Sequence, residues 1–144
     1  MDENEIDVSA LTFEMTKKLR FYLSKLVEYN GSDLHIKSGA NIRARINGEI
    51  VPLSKEILSH NDGLTLAKEL LRTRFKELVK NKSVDFTFKL NEEYRFRVNL
   101  FFQVDGVSGV FRTIPMTMPT IESLNLPPIL GKFCGIQRGL VLVT

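Results

Sequence analysis

Apolar positions along the chain change their period several times, and each change marks an element. From Thr12 to Tyr29, the residues Met15, Leu19, Tyr22, Leu23, Leu26 and Val27 recur at three- and four-residue steps. That spacing predicts an amphipathic helix with one buried stripe, leaving Lys17, Lys18, Arg20 and Lys25 on the wet side. Asn30-Gly31 predicts its end, since either residue tolerates a left-handed cap. The period then drops to two. Leu34 and Ile36 alternate with Asp33, His35 and Lys37, and Ile42, Ala44 and Ile46 alternate with Arg43 and Arg45. Asn47-Gly48 predicts a tight hairpin, because both central residues of a type I′ turn need positive φ, and Glu49–Leu53 reads as the returning strand. A second helix is expected from a cap at Asn61 or Asp62, through Leu64, Ala67, Leu70, Leu71, Phe75, Leu78 and Val79, to near Asn81. Three more alternating strands follow: Val84–Leu90, Tyr94–Gln103 and, after Asp105-Gly106, Ser108–Ile114.

Strands with one apolar face need cover, and the two helices supply it. The expectation is an α+β domain over residues 12–114, an antiparallel sheet with helices packed on it. Residues 1–11 are acidic and are expected to be frayed. From Pro115 to Pro128 the stretch PMTMPTIESLNLPP holds four prolines and reads as an interdomain linker. Residues 129–138 leave room for a short helix. The final run Leu140–Val143 is unbroken and apolar, as in a buried parallel strand, which would normally lead into a crossover helix.

Composition narrows the function classes. With 43% hydrophobic residues the chain can fold rather than remain disordered, and its formal charge of +3 allows an anionic partner without choosing one. Cys134 is the only cysteine, which excludes a disulfide framework or a cysteine-based zinc site and suggests a small buried apolar group. The start MDENEIDVSA lacks the basic and apolar regions of a signal peptide, and no apolar run reaches membrane-spanning length. A cytoplasmic setting is the default expectation.

Two arginines carry the candidate chemistry. If the hairpin turns at Asp105-Gly106, Val104 pairs with Val107, Asn99 with Arg112 and Arg97 with Ile114. Arg97 and Arg112 then become diagonal neighbours on the face opposite Phe96, Val98 and Leu100, with Arg95 beside them. Like charges on adjacent strands repel unless an anion lies between them, and guanidinium is well matched to phosphate. Spacing alone leaves two readings open, a solvated sheet face and an anion clamp, and favours the first. His35, alone on the polar side of its strand, reads as a structural hydrogen-bonder rather than a base.

The stretches GSDLHIKSGANIRARINGEIVPL (31–53), RFRVNLFFQ (95–103), GVFRTIP (109–115) and RGLVLVT (138–144) together resemble, in order, the N-terminal part of PilT-type ATPases. These are type IV pilus retraction motors of the type II/IV secretion ATPase superfamily. SDLHIKSG and FRTIP point to the pilus-retraction branch. Gly31 stands where the family commonly has Ala. The resemblance implies a PAS-like N-terminal domain, a proline-containing linker and the start of a RecA-like ATPase domain at 129–144, with the sequence ending before the glycine-rich Walker A loop. It therefore implies a fragment that does not hydrolyse ATP, from a parent that binds ATP and Mg²⁺ as a homohexamer. By the same resemblance, Arg97 and Arg112 reach the phosphates in the manner of arginine fingers, with Thr113 and Ile114 near the adenine. Asp33 and His35 would fix their strand against a neighbouring domain or subunit. The implied partners are adjacent subunits and an inner-membrane pilus platform protein, which would place the parent in the cytoplasm at the inner membrane.

Three alternatives compete with a pilus motor module. One is a secretion-system assembly ATPase. A second is a stand-alone PAS-like ligand sensor, which needs a cavity where Phe86, Phe88, Phe96, Phe102 and Phe111 are expected to point inward. The third is a nucleic-acid binder, which needs aromatics among the exposed arginines; only Phe101 fits, and nucleic acid is not an expected partner.

Overall fold

A computed structural model describes residues 7–144. The expectation for the acidic first six residues lies outside the described residues. Val8–Ala10 form a 3-10 turn, followed by α1 (Glu14–Glu28), β1 (Asp33–Lys37), β2 (Asn41–Ile46) and β3 (Glu49–Ile57). Helices α2 (His60–Leu71) and α3 (Phe75–Asn81) lead to β4 (Ser83–Lys89), β5 (Tyr94–Gln103) and β6 (Gly106–Pro115). The six strands form one antiparallel sheet in the order β3-β2-β1-β6-β5-β4. Two meanders, β1-β2-β3 and β4-β5-β6, are joined where β1 lies beside β6. The first strand thus sits inside the sheet, next to the last, and the α+β expectation of an antiparallel sheet with helices packed on it holds.

One sheet face is apolar and carries the helices. Leu19, Leu23 and Leu26 of α1, Leu66, Ala67 and Leu71 of α2, and Phe75 and Leu78 of α3 are buried with Leu34, Ile36, Val98, Leu100 and Phe111 in a single cluster. Phe96 and Phe111 are both fully buried, each worth about 1.5–3 kcal/mol of burial. Phe86, Phe88 and Phe102 face the same way and are only half-buried.

Local chemistry explains the boundaries. Asn30 takes φ 52° and ends α1, while Asn47 and Gly48 take φ 51° and 85° in the β2–β3 turn, as a type I′ hairpin requires. The start of α2 differs from expectation. Ser59 is the cap, and it forms a capping box with Asp62 in which each side chain bonds the other's backbone N–H. The expected single second helix is also two. Arg72 adopts φ 51°, Arg72–Arg74 form a 3-10 turn, and the chain changes direction there. Helix α2 lies against β6, whereas α3 reaches β4 and β5, so one straight helix would not cover both.

A buried carboxylate ties the helices together. Phe13, at the N-cap of α1, makes no side-chain cap bond, and Glu69 of α2 takes over that task. Its Oε2 accepts from the Thr16 backbone N–H at 2.6 Å and from Thr16 Oγ1 at 2.8 Å. A negative group at a helix N-terminus is favourable, and orphan N–H groups there need acceptors.

Beyond β6 the chain is mostly exposed. Helix α4 spans only Leu130–Phe133, and Cys134 is exposed rather than buried, because the segment around it has little of the chain to pack on. Residues 140–143 pair with no strand in this structure.

Glu69→Ala is expected to lower the unfolding free energy by about 2–3 kcal/mol, since it strips the α1 N-terminus of a buried charged acceptor. Urea denaturation checks this. A loss below about 0.5 kcal/mol, the level of an ordinary surface change, would show that α1 does not depend on Glu69.

Candidate anion-binding site on the open sheet face

The face without helices carries the polar half of every strand. Its residues fall into cross-strand rows set by the register. One row runs Ile50, Arg45, Asp33, Arg112, Arg97 and Thr87, from β3 to β4. The next runs Pro52, Arg43, His35, Val110, Asn99 and Asp85.

The arginine pair is closer than the sequence suggests. The β5–β6 turn is Val104-Asp105, not Asp105-Gly106, so Gln103 pairs with Gly106 and Arg97 lies directly opposite Arg112. The reason is Gly106. It takes φ 116° as the first residue of β6, the positive φ that follows a type I hairpin turn. It also packs so close to His60 that a Cβ there would come within 2.5 Å of Nδ1. The ring is held in turn by the Asp105 carbonyl, 3.1 Å from Nδ1. A shift of two residues preserves the face, so both arginines still point away from the core.

Their surroundings differ. Arg112 Nε donates to Asp33 Oδ1 at 2.8 Å, and Arg45 Nε lies 3.6 Å from Asp33 Oδ2. Ser32 Oγ donates to the same Oδ2 at 2.8 Å. Arg97 forms no ion pair among the described residues; it shares with Arg112, Asp85, Asn99 and Val110 a shallow depression of about 260 Å³. Burial pushes the Asp33 carboxyl up, but the hydrogen bonds from Arg112 and Ser32 and the Arg112 charge outweigh it and hold Asp33 below its usual range. A carboxylate that stays ionised cancels one arginine and leaves the other uncompensated.

The other predicted residues divide. Ile114 is exposed on the open face, across from Arg95. Thr113 faces the opposite way, paired with Phe96, and its Oγ1 donates to the Gly31 carbonyl at 3.2 Å. Its side chain is therefore not beside the two arginines. His35 is not the hydrogen-bonder expected, since its buried Nε2 has no partner. Burial lowers its pKa; the neighbouring Asp33 pulls it up, Arg45 and Arg112 push it down, and the balance lies below the ordinary value. Ser108 Oγ, also buried without a partner, lines with His35 a second depression on the same face. Asp33, Arg45 and Ser32 join the site through the β1–β6 register, which local periodicity does not reveal.

No protein-family model matches the chain. Among known proteins, it is 34% identical over 130 residues to the type IV pilus ATPase PilU of Pseudomonas aeruginosa, a match covering 90% of this chain and 33% of that protein. It is 34% identical over 117 residues to the type IV pilus retraction ATPase PilT of the same organism, covering 78% of this chain and 33% of the relative. The chain is a homologue of the type IV pilus ATPases. It spans about a third of the length of these curated relatives. A crystal structure of the pilus retraction motor PilT with bound ADP superposes with a TM-score of 0.66 at 28% identity, over 82% of this chain and 35% of that one. The sheet and helices are thus those of the N-terminal domain of PilT-like ATPases. The ATPase DotB of Yersinia pseudotuberculosis shares the fold, with a TM-score of 0.67 at 23% identity over 83% of this chain and 35% of that one.

The pH dependence of this PilT-like domain follows from the signs. Both shifts are downward, so each group adds stability above its unfolded pKa that is lost as pH falls through its folded one. For His35 that loss starts near pH ~6.5, and for Asp33 near pH ~4. The urea midpoint is therefore expected to fall between pH ~7.5 and ~5.5, and His35→Gln is expected to flatten that part of the profile. An unchanged profile in the variant would remove His35 as its source.

Proposed function

We propose that this chain is the N-terminal module of a hexameric motor ATPase that drives type IV pilus retraction and twitching motility. In this reading the open face meets nucleotide held by an ATPase domain, and Arg97 and Arg112 offset charge on its phosphates. The observation that carries the reading is the direct Arg97–Arg112 pairing, with only one of the two neutralised by Asp33. Two forked cations side by side suit an oxyanion better than water alone. Ile114, exposed on the same face two residues along β6 from Arg112, would contact the base, and Thr113 would do so through its backbone.

The 144 residues contain no glycine-rich loop of the Gly-x4-Gly-Lys-Ser/Thr kind. No group of three or more His, Cys, Asp or Glu side chains that could hold a metal is gathered among the described residues. In this reading phosphate contact falls to this domain, and Mg²⁺ and bond cleavage to the ATPase domain. Bound nucleotide would bias the domain's position about residues 115–128 through the arginine contacts. Neighbouring subunits are the proposed partners, with a pilus platform protein at the cytoplasmic side of the inner membrane. Among the described residues no helix is long and apolar enough to cross a membrane.

A second reading, a secretion-system assembly ATPase module, comes from the family resemblance of the sequence; the Legionella pneumophila ATPase DotB superposes with a TM-score of 0.58 at 25% identity, over 83% of this chain and 36% of that one. It keeps the same role for the arginines.

In a polypeptide that joins this chain to an ATPase domain, Arg112→Ala is expected to lower ATP turnover by about 10²-fold, the effect of removing one donor to developing charge. Steady-state turnover and nucleotide affinity check it, and normal values for both would refute the role of Arg112.

A further inference from the structure

The proposed phosphate contact leaves unexplained why a carboxylate is buried beside the arginine that is to bind an anion. The side chain of Asp33 is only 5% exposed, while that of Arg112, its partner at 2.8 Å, is 70% exposed. The bond uses Nε alone. Among the described residues neither Nη of Arg112 has a partner. Guanidinium is planar, so fixing Nε–H fixes the plane of the whole group and the direction of the two terminal nitrogens. Asp33 is itself held from its other oxygen by Ser32 Oγ at 2.8 Å and by Arg45 at 3.6 Å. Arg45 in turn donates from Nη1 to the Gly48 carbonyl at 2.8 Å, which ties it to the β2–β3 turn.

We propose that Asp33 is a positioning residue for phosphate binding: it anchors Arg112 by Nε and presents the free Nη pair, beside Arg97, to a polyphosphate oxyanion. The inference rests on the phosphate-contacting reading of Arg97 and Arg112. It sets orientation against charge. By charge alone, removing Asp33 should tighten anion binding. If Asp33 acts by orientation, removing it loosens binding, because a long exposed side chain must then be ordered by the ligand itself.

The test uses the whole 144-residue chain and inorganic triphosphate at low salt, with arginine Nε–Hε signals followed by NMR. In the unsubstituted chain the Arg97 and Arg112 signals move together on titration. Asp33→Ala, which leaves Nε without its acceptor, weakens the affinity by about tenfold, the low end of what outer hydrogen-bond partners contribute at metal ligands. The same substitution in an Arg112→Gln background changes it less than about twofold, since the residue it acts through is gone. Ser32→Ala removes the hydroxyl that holds the other oxygen of Asp33 and leaves both charges in place. It weakens binding in the same direction, again only while Arg112 is present; it serves if Asp33→Ala does not fold, and unchanged binding there then overturns the role. Tighter or unchanged binding in Asp33→Ala, with Arg112→Gln still weakening it, overturns the positioning role and leaves the phosphate reading standing. An equal loss from Asp33→Ala in both backgrounds marks a merely structural role and also overturns it. No movement of either arginine signal in the unsubstituted chain overturns the phosphate reading, and this inference with it.

Discussion

The pairing of β1 with β6 is the constraint on which the molecule depends. It joins two meanders that are each locally connected into one six-stranded sheet, through residues about 79 positions apart in sequence at Asp33 and Arg112. On the inner face it brings Leu34 against Phe111 within the core. On the outer face the same register sets Asp33 beside Arg112. Because side chains alternate, one register satisfies both faces, and a slip by one residue would bury Arg112 and expose Phe111. Core and site are therefore specified by a single alignment.

The charge arrangement follows from that alignment. Three arginines, Arg45, Arg112 and Arg97, stand in one row with one carboxylate between the first two. Opposite charges on neighbouring strands offset each other, while the directly opposed Arg97 and Arg112 repel. The core side holds the sheet in place against that local cost through Val98, Phe96 and Phe111. Such local strain is tolerable where an external anion relieves it, and it connects the packing of the domain with the phosphate chemistry proposed for it.

Much of the fold was legible because local signals agreed with the tertiary outcome. The Asn47-Gly48 turn, the α1 stripe and the alternation of β5 and β6 each reflect backbone preference and burial acting over a few residues. The misreadings came where a distant contact decided. The docking of Gly106 on His60 moved the hairpin turn by one residue and the pairing by two. The need to cover β4, β5 and β6 split the second helix at Arg72. Asn61 and Asp62 stand nearer the apolar stripe and point to a later cap, whereas Ser59 with Asp62 three residues on forms the capping box. The arginine face was readable from parity alone, but its acidic anchor was not, because nothing near Asp33 in sequence points to Arg112. The place of Thr113 near the adenine is implied only by the resemblance, and strand parity turns its side chain to the other face.

The central claim is that the open sheet face meets nucleotide phosphates through Arg97 and Arg112. The most direct measurement is a crystal structure of a hexamer containing this domain, with a non-hydrolysable ATP analogue bound. The account predicts guanidinium nitrogens of both arginines within ~3.2 Å of phosphate oxygens. Both side chains turned to bulk solvent, with the phosphates more than ~10 Å away and beyond a Debye length in ordinary salt, would contradict it.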